Sequence, residues 1–217
     1  MRSSPFLFLL LGSLLLTNCK TYYARQDISW KEIETLKDGA LLVRLQTSGN
    51  KIEKLKEAGE LAKALETEKN QKQRNERIAE AFENYFDFCP VYFFYSDNSR
   101  KLKKGEFSGI LMNSRFETVE ATQLGPDAWL MAEFGQTQVS LSEGGGVSRG
   151  SIALVIKDRD FIQLQDPFPA YAGWSILKEA NEDSSVEKMN QDLHIFYNEA
   201  KRKKLKREFR RRKWRDY

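Results

Sequence analysis

Two cysteines, Cys19 and Cys89, and one histidine, His194, are the whole supply of thiol and imidazole in the 217 residues. Disulfide exchange needs one sulfur to attack and a second close by to resolve. There is no Cys-x-x-Cys, so that chemistry has no motif. Cys89 could act as a nucleophile only with a base, and His194 is the one imidazole on offer. A Cys89–His194 dyad therefore defines the thiol-dependent option. The bland alternative weighs more. Cys89 lies between a helical pattern and the apolar run VYFFYS, where a free cysteine packs as a small hydrophobe. His194 borders an apolar helical face, the place of a boundary residue.

Carboxylates give the second option. Glu133 shares a strand face with Trp129 and Met131, and Asp166 leads into the aromatic segment from Phe168 to Trp174. Two carboxyl groups beside aromatic rings suit glycan hydrolysis, where one acts as acid and the other as base or nucleophile. A strand-edge glutamate and a turn aspartate account for the same residues. Metal chemistry has little to stand on. A lone histidine and so few cysteines cannot assemble the usual zinc sets. Asp158-Arg159-Asp160 is too short for a calcium loop. Gly144-Gly145-Gly146 lacks the Lys-Ser/Thr ending of a phosphate loop and precedes a strand rather than a helix. No catalytic set, metal or cofactor is expected.

Charge is distributed unevenly. Eleven of the fifteen residues 201–215 are Lys or Arg: Lys201, Arg202, Lys203, Lys204, Lys206, Arg207, Arg210, Arg211, Arg212, Lys213 and Arg215. The last seventeen residues carry +9 and everything before them −5, giving the total of +4. A mildly acidic body with a basic end suits an anionic surface, and each cation near such a surface is worth about 1 kcal/mol.

The opening stretch supplies an address. Residues 6–16 are apolar and follow Arg2, too short for the roughly 20 residues that span a bilayer but suited to the core of an export signal. Leu16-Thr17-Asn18-Cys19 resembles the lipobox of bacterial lipoprotein precursors, with Asn18 where a small residue is usual. The resemblance covers the first nineteen residues. It implies cleavage before Cys19 and acylation of its sulfur and amine. More than one acyl chain is what stable anchoring requires. Lys20 after the cysteine resembles the outer-membrane sorting pattern, and no acidic cluster follows, so an outer-membrane anchor facing the periplasm is expected. Export also argues against nucleic acid as a partner. Around GALLVRLQT and FCPVYFFYS the chain resembles uncharacterised bacterial envelope proteins, a likeness that implies no activity.

These residues need a scaffold. The pattern predicts a signal over 1–18, a tether over 19–38, a mixed α/β domain over 39–182 and a C-terminal helix with the basic tail over 183–217. GALLVRLQT reads as a strand. A helix or two halves follows, capped by Asn50, with Ile52, Leu55, Ala58, Ala62 and Leu65 on one face. Its polar stretch 66–77 is expected to face water, and the pattern resumes at Ile78, Ala81, Phe82, Tyr85 and Phe86. Pro90 ends it. VYFFYS is a buried strand, parallel to the first through the helical crossover. EFSGILMN and RFETVEAT read as short strands, AWLMAEFGQT as a clear one, IALVIKDRDFIQLQ as a hairpin turning at Asp158-Arg159, and DPFPAYAGW as irregular. The order is similar to a thioredoxin-like arrangement at the level of fold. The expected whole is a membrane-anchored, non-enzymatic envelope lipoprotein whose basic tail meets anionic lipid, glycan or an envelope protein. The alternative is an envelope enzyme using Cys89/His194 or Glu133/Asp166.

Overall fold

The computed structural model describes residues 24–120, 124–125, 127–138, 151–173 and 182–213. They form one α+β body on a five-stranded mixed sheet of order β2-β1-β3-β4-β5. Strands β1 (Ala40–Leu45), β2 (Val91–Tyr95) and β3 (Trp129–Gln136) run parallel, with β1 between the other two. Strands β4 (Ile152–Lys157) and β5 (Tyr171–Gly173) follow antiparallel. The parallel start and antiparallel end match the pattern expected from sequence.

β1 is buried on both faces except at Arg44, which explains its near-continuous apolar run. Leu41, Val43 and Leu45 point into the larger core, with Leu130, Ala132, Leu154 and Ile156 from neighbouring strands. Helix α1 (residues 24–38), helix α3 (Leu61–Tyr85) and helix α5 (Glu182–Lys213) cover that face through Trp30, Ile33, Phe82, Val186 and Met189. Ala40 and Leu42 point the other way, with Phe94, Trp129 and Met131. Short helix α4 (Ser99–Lys103) and the following loop cover them through Leu102, Ile110 and Leu111.

Several expectations need correcting. Residues 24–38 are helix, not tether: Trp30, Ile33 and Leu36 are core residues, and Gln26 and Ser29 are buried beside them. The body therefore extends beyond 39–182, and α5 is part of it. The expectation of one helix or two halves resolves to the second: the first crossover is α2 (Gly49–Glu57) and α3, broken at Gly59 with φ +75°. Ser48, not Asn50, precedes α2, with φ +55°. The apolar stripe of that stretch is not core, since α2 buries nothing and Leu61 and Leu65 are more than 60% exposed. Among their described residues, EFSGILMN and RFETVEAT form only isolated bridges at Met112, to Phe93 and Thr118. The Asn113 side chain accepts from the Arg115 and Glu117 amides and so holds a turn there instead of a strand. Beyond β4, Asp158 accepts the Asp160 and Ile162 amides, and Gln163 makes a single bridge back to Lys157. The regular partner of β4 is Tyr171–Gly173, inside the stretch expected to be irregular. Gly144-Gly145-Gly146 lies outside the described residues.

Candidate functional site

Two places on the body could engage a partner. The first is a cleft of about 510 Å³ outside the carboxyl ends of β1 and β2, bordered by Gln46, Thr47, Gln71, Asn75, Tyr95 and Phe116. Open sheets with parallel strands commonly place ligands at this end. Its wall is a chain of oriented hydrogen bonds. The Asn75 amide nitrogen donates to the Gln46 carbonyl at 2.9 Å. A backbone carbonyl can only accept, so the Asn75 oxygen must face Gln71 and accept from its amide nitrogen at 3.0 Å. The Gln71 oxygen in turn accepts from the Ser48 hydroxyl at 2.7 Å. Asn75 is 5% exposed, so this chain is locked from its buried end outward. Thr47 donates to Asp97 at 2.8 Å on the neighbouring loop. Two residues with left-handed backbone flank the cleft, Ser48 at φ +55° and Phe116 at φ +63°. Such conformations cost of order 1–3 kcal/mol when the residue is not glycine, and they cluster at ligand sites. Stretch 66–77 therefore does not only face water: Gln71 and Asn75 turn inward from it.

The second place is the basic end of α5. Tyr197, Ala200 and Lys204 lie against Glu34, with Lys204 to Glu34 at 2.8 Å. Farther along, Arg207 meets Asp27 at 2.7 Å and lies over the Trp30 ring at 4.4 Å. Contacts that descend α1 while they ascend α5 mean the two helices run antiparallel. The Glu34 carboxylate raises the Lys204 ammonium above its ordinary value, by its hydrogen bond first and its charge second. Lys203 reaches Glu199 at 3.7 Å. Lys201, Arg202 and Lys206 are exposed and make no ion pair among the described residues. Arg210, Arg211, Arg212 and Lys213 continue the helix, and Cys19 and Arg215 lie outside the described residues.

The comparisons come out empty. No protein-family model, curated protein or solved structure matches this chain.

The residue pairs weighed for catalysis are not assembled as pairs. His194 Nε2 is 2.9 Å from Asp87, whose carboxylate also accepts from Asn190 at 2.9 Å. Those two bonds, Asn190 first and His194 second, hold the Asp87 carboxyl below its ordinary value. Asn190 accepts the Asp87 and Phe88 amides, and the Phe88 ring meets the imidazole edge-on at 5.1 Å. The arrangement pins α5 to the end of α3. Cys89 packs against the larger core. Burial pushes its thiol from 9.0 up to about 12, against the smaller opposite pull of the Leu41 amide and the Lys37 ammonium. In a chain beginning at Lys20, Ellman's reagent at pH 8 should leave the folded protein's single thiol unmodified over minutes and titrate it fully in denaturant. Rapid native reaction would restore the thiolate option.

Glu133 is 6% exposed and lies between two cations, Arg44 at 2.8 Å and Lys157. Asp166 borders a different cleft, of about 250 Å³, with Arg25, Ile28, Ser29 and Glu32 of α1, which Glu133 does not line. Among the described residues no group of three or more His, Cys, Asp or Glu is placed to hold a metal. No described helix is long and apolar enough to cross a membrane. The cleft residues carried no sequence motif. The usable signal was an asparagine and a glutamine four residues apart, on one helical face, within a charged run.

Proposed function

We propose that the protein is a non-enzymatic envelope lipoprotein, anchored in the outer membrane by acylated Cys19, facing the periplasm, with the basic end of α5 contacting anionic lipid headgroups of the same membrane. The observation that carries this reading is the antiparallel docking of α5 on α1. It brings the cations to the end of α1 from which the chain leads back to Cys19. Five residue steps separate position 19 from position 24, a reach of at most about 18 Å. Past Arg207, α5 continues to Lys213, a further rise of about 9 Å. The intervening chain is short enough for anchor and cations to meet one surface, and two weak attachments to one surface reinforce each other. The thioredoxin-like comparison rests on the β1-helix-β2 start and brings no thiol chemistry with it. Hydrolysis through Glu133 and Asp166, and thiol catalysis through Cys89 and His194, would each need groups that this fold commits elsewhere.

Two measurements test the reading. Metabolic labelling with an alkynyl fatty acid should mark the wild-type protein and spare Cys19→Ala; equal labelling ends the anchor. A chain beginning at Lys20 should partition onto anionic vesicles in a salt-sensitive way. Replacing Lys201, Arg202 and Lys206 by alanine should weaken that partition by up to about fivefold per charge. An unchanged partition coefficient removes the lipid contact and leaves a glycan or protein as the partner of the tail.

A further inference from the structure

We propose that the cleft at the carboxyl ends of β1 and β2 is a binding site for a neutral saccharide. Its wall leaves specific hydrogen-bonding capacity unused. The Asn75–Gln71–Ser48 chain runs in one direction, so the unused capacity of Gln71, which lines the cleft, is defined. Gln71 retains a second N–H donor, and the Thr47 oxygen beside it in the lining, having donated to Asp97, retains a lone pair to accept. A ligand hydroxyl both accepts and donates, and so can use both at once. An ionised carboxylate can only accept, and phosphate, although its P–OH can donate, is an anion. Either would meet Glu68 and Glu76 on the rim, where Lys72, 4.0 Å from Glu76, is the single cation among the described lining residues. An apolar ligand would strip water from these amides and hydroxyls without replacing its hydrogen bonds, at about 1–3 kcal/mol for each group left unsatisfied.

The rest of the lining completes the match. Tyr95 and Phe116 add aromatic side chains to the same cleft. A sugar ring presents C–H surface on its faces and hydroxyls around its edge, and the lining offers a partner for each, aromatic rings and amide or hydroxyl groups. The volume of about 510 Å³ falls within the range of roughly 300–1,000 Å³ typical of small-molecule sites. The wall is also set before any ligand arrives, since Asn75 is buried and bonded to the backbone. A fixed wall lowers the ordering cost of binding. This site is separate from the basic end of α5, so it stands or falls independently of the membrane reading.

The test is calorimetric titration of the full-length protein, held in a detergent with no sugar headgroup. The probes are neutral trisaccharides of glucose, galactose, mannose and N-acetylglucosamine, with inorganic phosphate and spermidine alongside. At least one trisaccharide should bind saturably. Gln71→Ala should weaken it by about tenfold, the worth of one well-placed polar partner, in a protein that still folds but melts lower because the buried Asn75 oxygen loses its donor. Glu68→Gln should leave saccharide binding within about twofold, because a neutral ligand does not need that charge. Three results overturn the proposal: no trisaccharide binding up to about 10 mM, saturable binding of phosphate or spermidine alone, or a Gln71→Ala protein that binds as wild type. If Gln71→Ala fails to fold, Tyr95→Leu replaces it as the probe, and again wild-type affinity overturns the site.

Discussion

Gly39→Ala should destabilise the protein by about 3 kcal/mol or more, enough to shift its urea midpoint visibly or to prevent folding. Gly39 is the one residue between α1 and β1. A Cβ placed there would fall inside the carbonyl group of Ala128, at the start of β3, and 2.8 Å from the Thr35 carbonyl oxygen. Both obstacles are backbone, so no rotamer change relieves them. Nor can the surroundings move apart easily. Ala40 donates to Ala128 at 3.0 Å, which fixes β1 beside β3. Ile33 and Leu36, just before the turn, are fully buried and hold α1 in place. Gly49→Ala is the control. Its Cβ would meet nothing nearer than the Thr47 hydroxyl at 3.7 Å, so it should be neutral or slightly stabilising. Denaturant melts of the three proteins decide the matter. A Gly39→Ala protein as stable as wild type would mean that α1 does not pack where it is described.

Glu133→Gln should cost about 2 kcal/mol. Removing one partner of a buried ion pair typically costs 3–5 kcal/mol, because the other charge is left without compensation. Here the glutamate side chain is 8% exposed, while Arg44 and Lys157 are 26% and 16% exposed, so solvent screens part of the penalty. Glutamine keeps the shape and removes the charge, which leaves two cations sharing one neutral amide. The Arg44 Nε is already a buried donor with no partner, so the cluster has no spare acceptor to absorb the change. Replacing Arg44, Glu133 and Lys157 together by Met, Leu and Met should recover most of the loss, as apolar substitutes for whole buried ion clusters often do. Thermal melts of the single and triple variants separate this from general damage to β3. A Glu133→Gln protein with unchanged stability would mean that the carboxylate is not spent on its two neighbours, and would reopen it as an acid for chemistry.

Strands β1, β2, β3 and β4 and helix α5 were legible because each carries a long apolar run or stripe whose period survives single polar residues. The stretches that misled did so for separate physical reasons. The apolar stripe of α1 is only Trp30, Ile33 and Leu36, and its buried face is completed by Gln26 and Ser29, so hydropathy alone reads it as a linker. β5 is three residues long and follows Pro167 and Pro169, which mask it. Ile110 and Leu111 are buried as their composition suggests, yet they cover the sheet from a loop, and Met112 meets the β2 edge through a single bridge at Phe93. The pattern Ile52, Leu55, Ala58, Ala62 and Leu65 has helical period but no core to meet, because the turn at Gly59 folds α2 back on α3 instead of on the sheet. The cleft was the least legible. Burial of Asn75 depends on the Gln46 carbonyl, 29 residues earlier in the chain, and no local pattern encodes that meeting. The basic end was plain as composition. That three of its cations, Lys203, Lys204 and Arg207, are already engaged by Glu199, Glu34 and Asp27 was not.

Helix α5 is a single rod of 32 residues, about 48 Å long, fastened near both ends. At its start Glu182 faces Arg74 and Arg77 of α3 at 3.8 and 3.5 Å; toward its far end Lys204 and Arg207 grip α1. Any pull entering through residue 24 therefore arrives on a helix already clasped sideways by this rod. The strain is shared along the contact as shear, and the sheet behind it is spared a strand-by-strand unzipping.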